Sequence, residues 1–315
     1  MVYDAIIIGA GVSGLSCAIK LNELGKSCVV LEKGSLAIAK ACGGGITNKA
    51  LSLLASLDIH TGDFLEHDAK IVTKTKQFFS DGNIKVYDYT KQFTTIKYSI
   101  GIKRQNFDYV LVKRATKAGI KIIRDYHIDK ISCDSFVRVD DFVGKTLVYA
   151  TGGVFGNQPN YVNSTKTLGM SIDIEAEMNL SDNVFYFYID DVYYGGYAWV
   201  FPNGTNRWNI GVWQKGNFRF LKENFEQFCA NTLANKVTHF ISKDAPKSGY
   251  ICCGNTEEYL KKTKCIMLVN VQVLQAIRMA KEFIKLFYRG LQRRLTYIAI
   301  NNSLIYCKRK VTNER

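Results

Sequence analysis

The run Tyr3-Asp4-Ala5-Ile6-Ile7-Ile8-Gly9-Ala10-Gly11-Val12-Ser13-Gly14, continued by Leu15 to Leu24 and then by Cys28-Val29-Val30-Leu31-Glu32, decides the fold. Ala5 to Ile8 is a short apolar run of the kind found in a strand buried on both faces. Leu15, Ala18, Ile19 and Leu21 recur at helical spacing, and Gly25 stops the helix. A second apolar run then ends at an acid. Strand, glycine turn, helix, strand and acid, in that order, are what a dinucleotide-binding unit requires. Gly9 permits the tight turn, Gly11 admits a pyrophosphate close to the backbone, and Gly14 lets helix and strand pack closely. The helix N-terminus, where Ser13 lies, turns free N–H groups and a positive dipole end toward the phosphates. Glu32 can accept hydrogen bonds from an adenosine ribose and would repel a 2′-phosphate.

At 315 residues, with 47% hydrophobic and 22% charged residues, the chain is globular and long enough for one large or two interleaved domains. Three prolines and no low-complexity stretch argue against long linkers. No apolar run reaches the roughly 18 residues needed to span a bilayer. The apolar N-terminus reads as the first strand, and not as a signal peptide, because the glycine turn follows it at once. The nine cysteines form no disulfide or metal pattern, so reduced thiols in a cytoplasmic protein are expected, with no metal. Cys17 and Cys28 fall on the first helix and second strand and read as small core hydrophobes.

The net charge of +14 is concentrated at one end: residues 261–315 hold thirteen Lys and Arg against two acids, Glu282 and Glu314. Such an end suits peripheral contact with an anionic membrane, or is simply a solvated helix face with a basic tail. It lacks the pattern of a nucleic-acid module, and nucleic acid is not expected as a partner.

Three further stretches carry chemistry. Cys42-Gly43-Gly44-Gly45 precedes a helix expected over 48–57, which suggests close backbone approach to a ligand or an ordinary sharp turn. Arg104 stands before a helix expected over 107–118, either near a ligand or as an exposed loop arginine. The strand ending Ala150-Thr151-Gly152 lets backbone pass a bound nucleotide. Residues 68–100 read as inserted sheet with a hairpin turn at Ser80 to Asn83. Val184 to Tyr188 reads as a strand covered on both faces. Tyr197-Ala198-Trp199-Val200-Phe201-Pro202 and Arg207 to Trp213 form a hairpin expected to turn at Asn203-Gly204. Alternation puts Tyr197, Trp199 and Phe201 on one face. Such a wall is either core or the lining for a large apolar ligand.

Together these motifs resemble the geranylgeranyl reductase family of flavoproteins, within the group folded like para-hydroxybenzoate hydroxylase, over about residues 2–260. The resemblance implies an α/β architecture: a Rossmann-type FAD-binding domain interleaved with a mixed β-sheet substrate domain. The expected segments are FAD-binding residues 1–66, a sheet insertion 67–100, FAD-binding residues 101–160, an antiparallel substrate sheet 161–255, and a degenerate third FAD-binding part with a basic helical end over 256–315. By the family's motifs, FAD would be held by Gly9, Gly11, Ser13, Gly14, Glu32, Cys42, Gly43, Gly44, Gly45, Arg104, Ile128, Ala150, Thr151 and Gly152. Cys42 would lie at the flavin ring. Tyr197, Trp199, Phe201, Pro202 and Gly211 would line a prenyl pocket, although Trp213 stands where the family's pattern has a second glycine. The implied activity is FAD-dependent reduction of carbon–carbon double bonds in an isoprenoid chain, with NADPH or an electron carrier as reductant.

One departure stands out. The family's Gly-Asp-Ala strand end and its Gly-Glu-Gly loop are missing between Val269 and Gln275, where a strand expected over 265–269 runs almost directly into a helix expected over 275–282. Loss of that aspartate removes one charge-assisted hydrogen bond to FAD, worth about 1.5–3 kcal/mol. The alternative reading is therefore a catalytically impaired paralogue or remnant with weak or no FAD binding.

Overall fold

Alternation along short apolar strands explains the first layer. In the computed structural model, which describes residues 1–92, 94–152, 164–254 and 266–267, Ala5–Ile8 is fully flanked. Cys28–Leu31 lies parallel on one side, followed by Lys121–Ile123; Leu147–Tyr149 lies parallel on the other, followed by Ile266–Met267. Ala5, Ile7, Val30 and Val148 pack under the helices Val12–Glu23 and Arg104–Lys117. Ile6, Ile8, Val29, Leu31 and Leu147 point the opposite way, against Val137 and Val139 of a small four-stranded sheet. Both faces are covered, which is why these strands read as continuous apolar runs.

Cys17 and Cys28 are core residues, as expected, and burial pushes the Cys28 thiol up to about 11. The strand expected over 265–269 is present at Ile266–Met267 beside Leu147–Tyr149. The run 270–274, the helix expected over 275–282 and most of the basic end lie outside the described residues. Among the described residues, no helix is long and apolar enough to cross a membrane.

A second, larger sheet has the order Val237–Lys243, Ser164–Met178, Arg207–Lys215, Tyr197–Gly204, Val184–Ile189, Lys74–Phe79, Ile84–Asp88, and Lys247–Gly254 also pairs with Ser164–Met178. Neighbouring strands are antiparallel except Val184–Ile189 with Lys74–Phe79. One face, bearing Leu168, Met170, Ile172, Val184, Tyr186, Ala198, Val200, Ile210 and Val212, packs beneath the helix Phe218–Lys236 through Leu221, Phe225 and Phe228. The opposite face carries Phe185, Trp199 and Phe201 with Phe187, Tyr197 and Trp213. The chain is thus a mixed α/β protein in which a Rossmann-type domain interleaves with a mixed-sheet domain.

The region 68–100 forms sheet, with the expected hairpin joining Lys74–Phe79 to Ile84–Asp88. Its strands divide, however: Lys70–Val72 and Ser99–Gly101 join Gly45–Ile46 in a separate three-stranded sheet.

The hairpin expected to turn at Asn203-Gly204 turns two residues later. Gly204 pairs with Arg207, leaving Thr205 and Asn206 at the tip, with Asn206 at φ +53°. Side-chain partners select this register. Asn203 is buried and donates to Asp173 at 2.7 Å, while the Thr205 backbone N–H and hydroxyl donate to Asp68 at 3.0 and 2.9 Å.

Candidate functional site

The first part of the site is made mostly of main chain. Gly9 leaves its strand at φ +105°, and a Cβ there would collide with the Ala150 carbonyl. A Cβ on Gly14 would strike the Gly9 carbonyl, so helix and strand are closer than any other residue allows. At Gly11 a Cβ would meet nothing within 4 Å among the described residues. Gly11 is also the N-cap of the helix, with no side-chain cap and no acid in the first turn. The first-turn N–H groups therefore keep their capacity for an anion. Ser13 Oγ is buried there without a hydrogen-bond partner among the described residues.

Glu32 closes the far side. Its carboxylate accepts the Ala10 N–H at 2.7 Å and the Gly34 N–H at 3.2 Å. These bonds fix it at the strand end while leaving lone pairs for ribose hydroxyls. Ile128 follows in a loop tied to the same end by the Tyr126 N–H donating to the Glu32 carbonyl at 2.9 Å, and it packs half-buried against the small sheet. Ala150 sits beside Gly9, Thr151 is exposed, and Gly152 has φ +78°. An open helix N-terminus, an orphaned buried hydroxyl and an anchored acid fit the adenosine diphosphate half of FAD.

The second part begins at Cys42. Gly44 has φ +72°, and a Cβ on it would overlap the Ile102 carbonyl, so this turn needs glycine. A Cβ on Gly43 would come to 2.8 Å from the Phe201 ring and 2.9 Å from Trp199 Nε1, and one on Gly45 to 3.3 Å from Phe185. The loop's lack of side chains therefore lets it lie directly on the aromatic face. Cys42 Sγ accepts the Gly44 N–H at 3.5 Å.

Arg104 reaches the same place from the start of its helix, which begins three residues before the expected position. Its Nε donates to buried Asp108 at 2.9 Å, and Lys40 meets the other Asp108 oxygen at 3.1 Å. Burial works against the guanidinium charge, but Asp108 and Cys42 outweigh it and hold the Arg104 pKa above its ordinary value. Burial also pushes the Tyr197 phenol up to about 12, with Cys42 adding to the effect. Cys42, Arg104 and Tyr197 thus share one electrostatic environment.

The aromatic face is continuous. Phe185 and Phe201 lie 4.5 Å apart between ring centroids, Phe187 and Phe201 4.9 Å, and Phe187 and Tyr197 5.2 Å. Trp199 lies 6.1 Å from Phe201 and 5.9 Å from Tyr197. Gly211 lies directly beneath Trp199, where a Cβ would enter the indole ring. Pro202 does not join this face: alternation turns it away, and its carbonyl lies against Gly101. Trp213, the departure from the family pattern, stands 5.5 Å from Tyr197 and donates through Nε1 to Thr167 at 2.9 Å. Phe185, Phe187 and Tyr89 belong to the same cluster, although the sequence reading did not place them there. The signal for the two phenylalanines was the strand read as covered on both faces, whose odd positions take this side.

A model of the FAD binding domain family matches residues 4–67. Digeranylgeranylglycerophospholipid reductase 2 of Methanopyrus kandleri is 26% identical over 237 residues, covering 69% of this chain and 56% of that protein. The digeranylgeranylglycerophospholipid reductase of Methanocella arvoryzae is 27% identical over 233 residues, covering 67% and 56%. The chain thus matches little more than half the length of these curated relatives. The resemblance to the geranylgeranyl reductase family holds. A geranylgeranyl bacteriochlorophyll reductase-like protein of Thermoplasma acidophilum superposes with a TM-score of 0.70 over 93% of this chain and 84% of its own; at 16% identity it shows the shared fold. Residues 4–67 thus match an FAD binding domain, and the chain resembles these reductases in sequence and a reductase-like protein in fold.

Proposed function

We propose that this chain uses FAD to reduce carbon–carbon double bonds of a long isoprenoid chain. The observation that carries the reading is the contact between the Cys42–Gly45 loop and the wall of Phe185, Trp199 and Phe201. A continuous aromatic surface against a side-chain-free loop suits an extended hydrocarbon beside a planar ring. The names of the curated relatives point to the same substrate class.

Gly11, Ser13 and Glu32 would hold the adenosine diphosphate, with Ile128, Ala150, Thr151 and Gly152 bordering it. Cys42 to Gly45 and Arg104 would face the ring system. FAD, once reduced by NADPH or an electron carrier, supplies hydride chemistry. The chain's own residues do the rest. Tyr197, Trp199 and Phe201 hold the hydrocarbon and exclude water, Gly211 seats Trp199, and Asp108 fixes Arg104 beside Cys42. The retained cradle favours this reading over an impaired remnant, even though the Gly-Asp-Ala and Gly-Glu-Gly segments are missing from the sequence. The basic residues 261–315 would bring the protein to an anionic membrane that carries its lipid substrate.

The test is anaerobic incubation of the FAD-loaded protein with a chemical reductant and geranylgeranyl lipid, followed by mass spectrometry. A product heavier by pairs of hydrogen atoms is expected. Full flavin occupancy and unchanged lipid mass would contradict the proposal.

A further inference from the structure

Beneath the aromatic wall lies a polar arrangement that the readings above do not use. The strands Ser164–Met178, Arg207–Lys215 and Tyr197–Gly204 are in register so that Asp173, Asn209 and Phe201 form one cross-strand row. Ser171, Gly211 and Trp199 form the next row. Since Gly211 has no side chain, the Trp199 indole lies across it and reaches diagonally into the first row. There Trp199 Nε1 donates to Asn209 Oδ1 at 2.8 Å, a bond buried within the sheet.

The direction of that bond is set one residue further on. Asn209 Nδ2 donates to Asp173 Oδ1 at 2.8 Å, and Asn203 Nδ2 donates to the same oxygen at 2.7 Å. A carboxylate only accepts, so both amides must present nitrogen to it. Asn209 then has its oxygen facing the indole. Turning that amide over would set oxygen against carboxylate and N–H against N–H. Asn203 shows how strong the demand is. It gives its nitrogen to Asp173 although its own Oδ1 is left buried without a partner among the described residues.

Asp173 is itself held. Lys247 Nζ lies 3.4 Å from its other oxygen and 3.3 Å from Asp244, and Lys103 Nζ lies 2.9 Å from Asp244. Lys103 immediately precedes Arg104, so the chain of contacts ends beside the residue that meets Cys42.

We infer that Asp173 is a positioning residue: through the Asn209 amide it locks the Trp199 indole into the orientation that holds its Nε1 edge beside Gly43. The link from wall to hydrocarbon rests on the function proposed above; the link from Asp173 to Trp199 does not. Largely buried hydrogen-bond networks of this kind select one arrangement of an otherwise apolar surface.

The experiment reads the three tryptophan indole N–H resonances of the ¹⁵N-labelled protein, with the Trp199 signal assigned through Trp199→Phe. In Asp173→Asn the carboxylate no longer dictates the amides. The Trp199 cross-peak should move or split, and its hydrogen exchange should quicken about tenfold or more. Trp208, whose indole donates to the Ala176 carbonyl, should stay in place. The double variant Asp173→Asn with Asn209→Asp transfers the carboxylate one strand over, where it accepts from both the indole and the new amide. This swap should return the Trp199 signal toward its wild-type position and exchange rate. An unmoved Trp199 signal in the single variant, or equal movement of Trp199 and Trp208, would overturn the inference.

Should the single variant fail to fold, the swap decides alone: a wild-type-like Trp199 signal supports the inference and a displaced one refutes it. Tryptophan quenching by geranylgeraniol in the same samples separates the two links. About tenfold weaker quenching affinity in Asp173→Asn is expected. No quenching in the wild type would contradict the wall's proposed ligand and leave the Trp199 result standing.

Discussion

The glycine turn between Ile8 and Val12 and the aromatic face of the large sheet hold their shapes by different means. The turn is fixed by backbone against backbone: Gly9 and Gly14 sit where any Cβ would strike a carbonyl oxygen, and Glu32 is tied down by main-chain N–H groups. The wall is fixed by side chain against side chain, with Trp199 seated over Gly211 and aimed by Asn209 and Asp173. The first geometry lies mostly within residues 9–32, with Ala150 as its distant contact, and tolerates almost no added volume at Gly9 and Gly14. The second is spread over residues 173 to 211 and depends on partners that must agree with one another.

This contrast predicts how each region fails. The largest effect belongs to the turn. Gly9→Ala forces a positive-φ residue into the Ala150 carbonyl and should cost about 3 kcal/mol in urea unfolding. Gly14→Ala, pressed against the Gly9 carbonyl, should fall in the same range. Gly11→Ala, whose Cβ points into open space, should stay within about 0.5 kcal/mol of wild type. Equal losses at Gly9 and Gly11 would erase the distinction between packing glycine and ligand-facing glycine.

An intermediate effect is expected at the wall. Gly211→Ala drives a methyl group into the Trp199 ring and should cost about 1–3 kcal/mol, the usual range for overpacking. It should also change the near-ultraviolet circular dichroism, because the indole must leave its seat. A stable variant with an unchanged aromatic spectrum would show that the wall is looser than its contacts imply.

The smallest effect lies outside both regions. A hydrogen bond from Lys145 at 2.8 Å outweighs partial burial and holds the Asp4 carboxyl below its ordinary value. A depressed folded-state pKa contributes stability above the unfolded value, near 3.8, that is lost as pH falls through the folded one. Lys145 is 55% exposed, so solvent screening keeps the contribution under about 1 kcal/mol. Asp4→Asn should therefore flatten the acid limb of the stability profile slightly and change nothing at neutral pH beyond that small loss.

The same contrast explains what could be read from the sequence. Gly9, Gly11, Gly14 and Glu32 lie within one contiguous strand–helix–strand unit, so their spacing alone placed them. Tyr197, Trp199 and Phe201 were legible because alternation within one strand puts them on one face. Phe185, Phe187, Asn209 and Asp173 come from other strands, and only the sheet register brings them to that face. The hairpin turns elsewhere for a related reason: Asn203-Gly204 has the composition of a turn, but a half-buried carboxylate from a distant strand claims Asn203. Local turn preference gave way to a tertiary hydrogen bond.

The most direct measurement is the visible spectrum of the purified protein after incubation with FAD and desalting, beside that of Gly11→Val. The wild type should retain a flavin band in near-stoichiometric amount, and the variant, folded but with its phosphate approach filled, should lose it. A wild-type protein that folds and stays colourless would contradict an FAD-binding cradle at Gly9 to Glu32.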